Sequence, residues 1–196
     1  MKSEKRDIIL IGGGGHCRSC IDVIERSEDF RIAGIVDVKE KLHQKVLGYE
    51  IIGSDEDLSA LTEQYDNFLI TVGQIKSPAV RVRLFTFLKE LQVNLPTIVS
   101  PFAYVSPYTR LGEGTIVMHQ ATVNAGAIVG ANCIINTKSL LEHDVEVGDH
   151  CHIATGALIN GGVQVGEGSF VGSGAVCREY TVIDKSSVIG CNTTIK

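Results

Sequence analysis

A small parallel α/β sheet followed by a parallel β-helix is the fold that this sequence predicts. Three observations carry the reading. Up to about Asn94, short apolar runs alternate with helix-like stretches. From Val99 onward the apolar residues recur at every sixth position instead. Glycine is also in excess, with 21 among 196 residues against four prolines and no tryptophan. The change of pattern divides the chain into an α/β domain over residues 1–98 and a β-helix over residues 99–196.

In the first part, the charged residues Met1 to Arg6 lead into the apolar run Asp7–Ile11, which closes in Gly12-Gly13-Gly14-Gly15-His16. Cys17 to Glu28 places Cys20, Ile21 and Ile24 on one helical face. Ile32–Val36 reads as a second strand ending in Asp37, and Ile51-Ile52 as a short extra strand. Glu56–Gln64 reads as a short helix, and Phe68–Val72 as a strand ending in Gly73-Gln74. Pro78 opens a helix with Val82, Phe85 and Leu88–Leu91 facing inward. Strands and helices alternating at these lengths describe a parallel sheet of four or five strands with crossover helices.

In the second part, every sixth residue from Val99 through Leu111, Val123, Leu141, Ile159 and Val171 to Ile189 is aliphatic, apart from Cys177. Four places after each lies a mostly small residue such as Ala121, Cys133, Ser139 or Ala157. Hexapeptide repeats of this kind build a parallel β-helix, in which three repeats make a triangular coil of about 18 residues. The aliphatic residue points into the prism and the small residue fills the space beside it. Gly112, Gly130, Gly148, Gly166, Gly172 and Gly190, one place after the aliphatic, are expected to serve the sharp turns. Stacked coils bury one another's apolar residues. The flat outer faces they leave exposed predict side-by-side oligomers.

Composition narrows the function classes. With 18 basic and 23 acidic residues the formal charge is −5. A mildly acidic chain with scattered basic residues does not suggest a nucleic-acid or anionic-membrane partner. The apolar run near the start is too short for a signal sequence or a membrane span, so a cytoplasmic location is expected. Of six cysteines, Cys17 and Cys20 fall on one side of the first helix and read as packing, without a thioredoxin context for redox chemistry. Cys133 and Cys151 read as reduced, buried thiols. No set of histidines completes a convincing metal site.

Two stretches carry a family likeness across nearly the whole chain: Ile11-Gly12-Gly13-Gly14-Gly15-His16 and Asn136-Thr137-Lys138-Ser139-Leu140-Leu141-Glu142-His143-Asp144. The sequence resembles the hexapeptide-repeat sugar acetyltransferases that couple a Rossmann-like, nucleotide-sugar-binding N-terminal domain to a left-handed β-helix. The resemblance implies acetyl-CoA as co-substrate, the left hand of the coil, and a homotrimer with active sites between subunits. The segment Gly190-Cys191-Asn192-Thr193-Thr194-Ile195-Lys196 lacks the Gly-x-Pro-Ala-Lys pattern that many relatives place at the adenine end of CoA.

Residues and resemblance together give a candidate site. His143 lies on the outer surface of the coil, where an imidazole titrating near neutrality suits a general base. Glu142 and Asp144 flank it, and either carboxylate could accept the other ring N–H. The resemblance adds Gly161, one coil above, as a main-chain donor to the thioester carbonyl. It also assigns His152 to the thioester region, Gly174 to the pantetheine groove and Asn136 to the acceptor sugar. In the first domain, Gly12, Gly14 and Gly15 form a glycine turn before a helix, a setting that holds phosphate. His16, Asp37, Gly73 and Gln74 join them at the C-terminal ends of parallel strands, where open α/β sheets bind ligands. The leading expectation is N-acetylation of a UDP- or GDP-linked 4-amino-4,6-dideoxyhexose for bacterial surface glycans. O-acetylation of a sialic-acid-like sugar and a non-catalytic, nucleotide-sugar-binding solenoid are the alternatives.

Overall fold

A computed structural model describes residues 5–196; the lead-in Met1–Glu4 lies outside the described residues. The chain forms two compact units. One takes in the chain up to Gly73 together with Arg83–Pro96, and the other Gln74–Val82 together with Thr97–Lys196.

The first unit is a five-stranded sheet built from β1 (Arg6–Ile11), β2 (Phe30–Val36), β3 (Lys45–Val46), β4 (Tyr49–Gly53) and β5 (Asn67–Ile70), in the order β3-β4-β2-β1-β5. All neighbours run parallel except β3, which pairs antiparallel with β4. That hairpin is absent from the sequence reading. Its turn residues Leu47 and Gly48 both have positive φ, the geometry of a two-residue hairpin, but leucine is not a residue that announces it. The helix α1 (Gly15–Arg26) buries Cys17, Cys20, Ile21 and Ile24 at helical spacing. The expected helix over Glu56–Gln64 is shorter: a 3₁₀ turn at Asp55–Asp57 runs into α2 (Leu58–Leu61). A reciprocal cap starts it, with the Ser54 N–H and Oγ–H both donating to Asp57 Oδ2. In α3 (Ala79–Glu90) Leu88 enters the first unit's core as expected and Phe85 and Leu91 pack half-buried against it; Leu84, absent from the expected face, is also buried, while Val82 is only half-buried. Arg81, a charged residue that no periodicity flags, is 1% exposed.

The second unit is the left-handed β-helix. Seventeen two-residue strands, from Ile98–Val99 to Thr194–Ile195, lie in three parallel sheets. Each strand pairs with the strand 18 residues away, so Val123, Leu141, Ile159 and Cys177 stack in one column. All four are fully buried. Each aliphatic contributes about 1.5–3 kcal/mol by leaving water, and the column accumulates that gain coil by coil.

Two sets of glycines do different work, which corrects the expectation that Gly112, Gly130, Gly148, Gly166 and Gly172 serve turns. Their φ values are not positive. A Cβ at Gly112 would sit 2.5 Å from Ala131 N, and one at Gly166 2.5 Å from Lys185 N, so what these positions need is closeness to the next coil. The left-handed turn conformation falls two places later, at Gly114, Gly126, Gly156, Gly162, Gly168 and Gly174 and at residues such as Asn132 and Asp144.

One prism corner carries a ladder of side-chain donors. Thr115 Oγ1, Cys133 Sγ, Cys151 Sγ and Ser169 Oγ donate to the carbonyls of Gly130, Gly148, Gly166 and Asp184 at 2.7, 3.2, 3.2 and 3.0 Å. The N–H groups of Cys133, Cys151 and Ser187 in turn donate to Thr115 Oγ1, Cys133 Sγ and Ser169 Oγ. The thiols are therefore hydrogen-bonding core residues, and all six cysteines are free of disulfides. Replacing Cys151 by serine should preserve the ladder. Replacing it by valine should leave buried backbone groups unsatisfied and cost about 1–3 kcal/mol in denaturant unfolding.

Candidate active site

His143 occupies the corner that follows the strand Leu140–Leu141. Coil stacking sets its surroundings: Glu142 N–H donates to Ile159 O and Asp144 N–H to Ala125 O. One coil above, Asn160 N–H reaches Cys177 O and Gly162 N–H reaches His143 O. The N–H between them, on Gly161, has no intrachain acceptor among the described residues. The imidazole leans onto that glycine, for a Cβ at Gly161 would lie 2.6 Å from His143 Nε2 and 2.7 Å from Cε1. The ring and a residue with a free N–H thus meet at the corner.

The two flanking carboxylates separate clearly. Asp144 Oδ2 lies 2.9 Å from His143 Nδ1, so Nδ1 carries the proton toward Asp144 and Nε2 is left as the outward lone pair. Glu142 Oε2 instead accepts from Asn124 Nδ2 at 2.9 Å, one coil below. Asp144 adopts positive φ, a conformation that aspartate tolerates better than most residues. The His143 side chain is 60% exposed, open to a ligand.

Buried His152 and half-buried Asn136 form a second pair. His152 is 8% exposed. Its Nδ1 lies 2.6 Å from Gln74 O and its Nε2 3.0 Å from Asn136 Nδ2. The carbonyl fixes the tautomer, with Nδ1–H donating and Nε2 accepting. Asn136 Oδ1 accepts from Thr137 N–H at 2.8 Å, so the amide is oriented from both ends. Both ring nitrogens of His152 are engaged within the unit, one by Gln74 and the other by Asn136. Gln74, expected to face substrate, is a clamp instead: it is 2% exposed, and Nε2 donates to His150 O at 3.0 Å. Arg81 and Asn132, which sequence reasoning missed, extend this buried network. Arg81 Nη2 donates to Asn132 Oδ1 at 2.6 Å and to Asn132 O at 3.0 Å. Asn132 Nδ2 lies 3.0 Å from Nδ1 of the half-buried His150. Gly174 lies under Asn192, one coil above.

The glycine turn of the first unit has its own geometry. Gly12 has φ +104°, and a Cβ there would lie 2.5 Å from Val72 Cγ2. Its carbonyl accepts from Thr71 Oγ1. Gly14 caps α1 without a side-chain partner, and nothing lies within 4 Å of a Cβ built at Gly14 or Gly15. Gly13 N–H, however, already donates to Asp37 Oδ2 at 2.8 Å, and Lys41 Nζ approaches the same oxygen at 3.0 Å. Burial opposes ionisation of Asp37, but the Val38 and Gly13 N–H groups and the Lys41 ammonium outweigh it and hold the carboxyl below its usual range. Asp37 therefore closes the turn at Gly13, leaving the Gly14–Gly15 end of the helix open. His16 is half-buried, with Nε2 3.4 Å from Cys20 Sγ, and its Cβ lies near Gly73.

Comparison with known proteins adds to this geometry. The PglD N-terminal domain family matches residues 7–87. PerB from Caulobacter crescentus, solved in complex with CoA and GDP-perosamine, is 31% identical, with 97% of this chain and 88% of that chain covered and a TM-score of 0.90. The chain belongs to the hexapeptide-repeat nucleotide-sugar acetyltransferases. The acetyltransferase domain of PglB from Neisseria gonorrhoeae is 28% identical, covering 98% of this chain and 92% of that one, with a TM-score of 0.90. The same domain in complex with acetyl coenzyme A superposes with a TM-score of 0.88 at 26% identity, covering 98% of this chain and 93% of that one. No curated protein sequence matches the chain. Among the described residues, no helix is long and apolar enough to cross a membrane, and no three His, Cys, Asp or Glu side chains are grouped as metal ligands would be.

Burial of His152 has a measurable consequence. Desolvation drives its pKa down from 6.5 to about 4, against the pull of the Gln74 carbonyl and with help from Arg81. Between those values the unfolded chain binds a proton that the folded chain does not. Stability is therefore complete above the unfolded value and is lost as pH falls from 6.5 toward about 4. Melting temperature should drop over that window in the wild type and less steeply in His152→Gln.

Proposed function

We propose that this acetyltransferase moves the acetyl group of acetyl-CoA onto the amine of a nucleotide-linked amino-deoxy sugar, with His143 as general base. One observation carries the reading: His143 Nδ1 is engaged by Asp144 while Nε2 lies against Gly161, whose N–H is unengaged. The sugar amine attacks the thioester carbonyl carbon, and His143 Nε2 takes the proton as the tetrahedral intermediate forms. Gly161 N–H is the fixed donor to the developing oxyanion, requiring no reorganisation during reaction. Asp144 holds the tautomer and stabilises the imidazolium. The C–S bond then breaks, and the imidazolium returns its proton to the leaving thiolate. Asn136, oriented by His152, is placed to bond the acceptor sugar. The open Gly14–Gly15 helix end is suited to the nucleotide's phosphates. The co-crystallised ligands of the perosamine relative, CoA and GDP-perosamine, support this pairing of substrates.

The test is a panel of UDP- and GDP-linked 4-amino-4,6-dideoxyhexoses with acetyl-CoA, read by free-thiol release and by the mass gain of the sugar. At least one should be acetylated on nitrogen. His143→Ala should lose about 100- to 10,000-fold in rate while the fold is retained, because the side chain faces outward. Asp144→Ala should lose less, about 10- to 100-fold, since the proton acceptor remains. Glu142→Ala should cost less still, because Asn124 holds that carboxylate away from the ring. A His143 variant retaining more than about a tenth of the rate would remove it as the base.

The working form is a homotrimer of parallel β-helices with sites between subunits. Its support is the outward column on the face that leads into His143, where Tyr104 and Leu158 remain 57% and 38% exposed. Water-facing apolar residues stacked on a flat sheet favour a second copy. Sedimentation equilibrium should return three subunit masses, and a mass of one or two would refute the arrangement.

A further inference from the structure

Tyr180 stands at a turn of positive φ, and the other positive-φ turns of the β-helix are held by glycine or a polar residue. Its φ is +57°, a conformation in which a bulky side chain is an outlier. The ring is 76% exposed, so burial does not offset that penalty. It does have a definite seat. Tyr180 N–H donates to Gly161 O at 3.0 Å, which fixes its backbone directly above the Gly161–Gly162 peptide. A Cβ at Gly162 would lie 2.5 Å from Tyr180 Cδ1 and 2.6 Å from Cε1, so the ring lies across the bare backbone of that glycine. From the other side His143 leans on Gly161. Two exposed rings thus pack on one glycine pair, and the N–H of Gly161 in that pair is unengaged.

From this arrangement we infer that Tyr180 is an acyl-CoA-binding residue: its ring is the wall of the acetyl-thioester site on the side opposite His143. The inference rests on the proposed role of Gly161 N–H as donor to the thioester carbonyl. An acyl group bonded to that N–H has His143 on one side and needs an apolar surface on the other. The Tyr180 ring supplies it and shields the hydrogen bond from water, which strengthens a bond to a developing charge. Strain held at an exposed position beside a reactive corner is the pattern expected of a residue kept for binding, not for stability.

The measurement separates those two roles. Asparagine tolerates the left-handed conformation, so Tyr180→Asn removes the ring while relieving the backbone. Calorimetric titration of the intact protein with acetyl-CoA, in the absence of acceptor sugar, should show Kd raised about tenfold, the scale of losing one aromatic contact. The melting temperature of the unliganded variant should rise, and KM for acetyl-CoA should increase more than kcat falls. Tyr180→Phe, which keeps the ring, should restore affinity to within about twofold of wild type. If Tyr180→Asn melts lower and binds as wild type does, Tyr180 is a structural residue and the inference is wrong. Binding by the wild type with unchanged affinity in Tyr180→Asn defeats the Tyr180 assignment alone. Failure of the wild type to bind acetyl-CoA defeats the proposed function and the Tyr180 assignment with it.

Discussion

Coil-on-coil stacking at a spacing of 18 residues is the constraint on which the proposed catalytic corner depends. Each backbone hydrogen bond between coils, such as Leu140 N–H to Ala157 O or Gly162 N–H to His143 O, fixes a residue against its counterpart one turn away. The interior column of Val123, Leu141, Ile159 and Cys177 supplies the free energy. The corner inherits its geometry from that register. His143 meets Gly161 and Glu142 meets Asn124, while Tyr180 lies over Gly162, because each pair is 18 residues apart and the chain leaves little freedom to place them elsewhere.

That dependence gives Gly161 and Asp144 their meaning. A bare Cα at 161 creates the space that the imidazole occupies and leaves the neighbouring N–H accessible to a ligand. Asp144, at the left-handed turn position, accepts the Nδ1 proton at 2.9 Å and so directs the Nε2 lone pair toward that space. The behaviour needed from a base, a donor and an orienting carboxylate follows from ordinary turn geometry repeated in successive coils. The second polar system, from Arg81 through Asn132 and from Gln74 through His152 to Asn136, orients the amide proposed to meet the acceptor sugar.

Much of this was legible in the sequence, and the failures share a cause. The six-residue period places every interior aliphatic, and the motif around His143 picks out the corner. The period does not reveal which carboxylate serves the ring, because flanking acids look alike in one dimension; only the partner one coil below, Asn124, separates them. The glycines after each aliphatic look like turn residues, yet proximity of the next coil explains them, an interaction between residues distant in the chain. Gln74 reads as a strand-end ligand residue, and no periodicity flags Arg81. Both are buried by hydrogen bonds to residues more than 50 positions away, His150 and Asn132. Asp37 sits where a ligand contact was expected, but its carboxylate is engaged by Gly13 N–H within the turn itself.

Gly161→Ala tests the central claim most directly, because it keeps the main-chain N–H and fills only the space that His143 occupies. The variant should fold with an unchanged β-helical circular-dichroism spectrum, since the position lies at an outer corner. Acetyl transfer to the accepted amino-sugar nucleotide should fall by about 100-fold or more, close to the loss from removing the base outright. A Gly161→Ala protein that folds and transfers acetyl at more than about a third of the wild-type rate would contradict the account, since the imidazole would then not need the seat that coil stacking gives it.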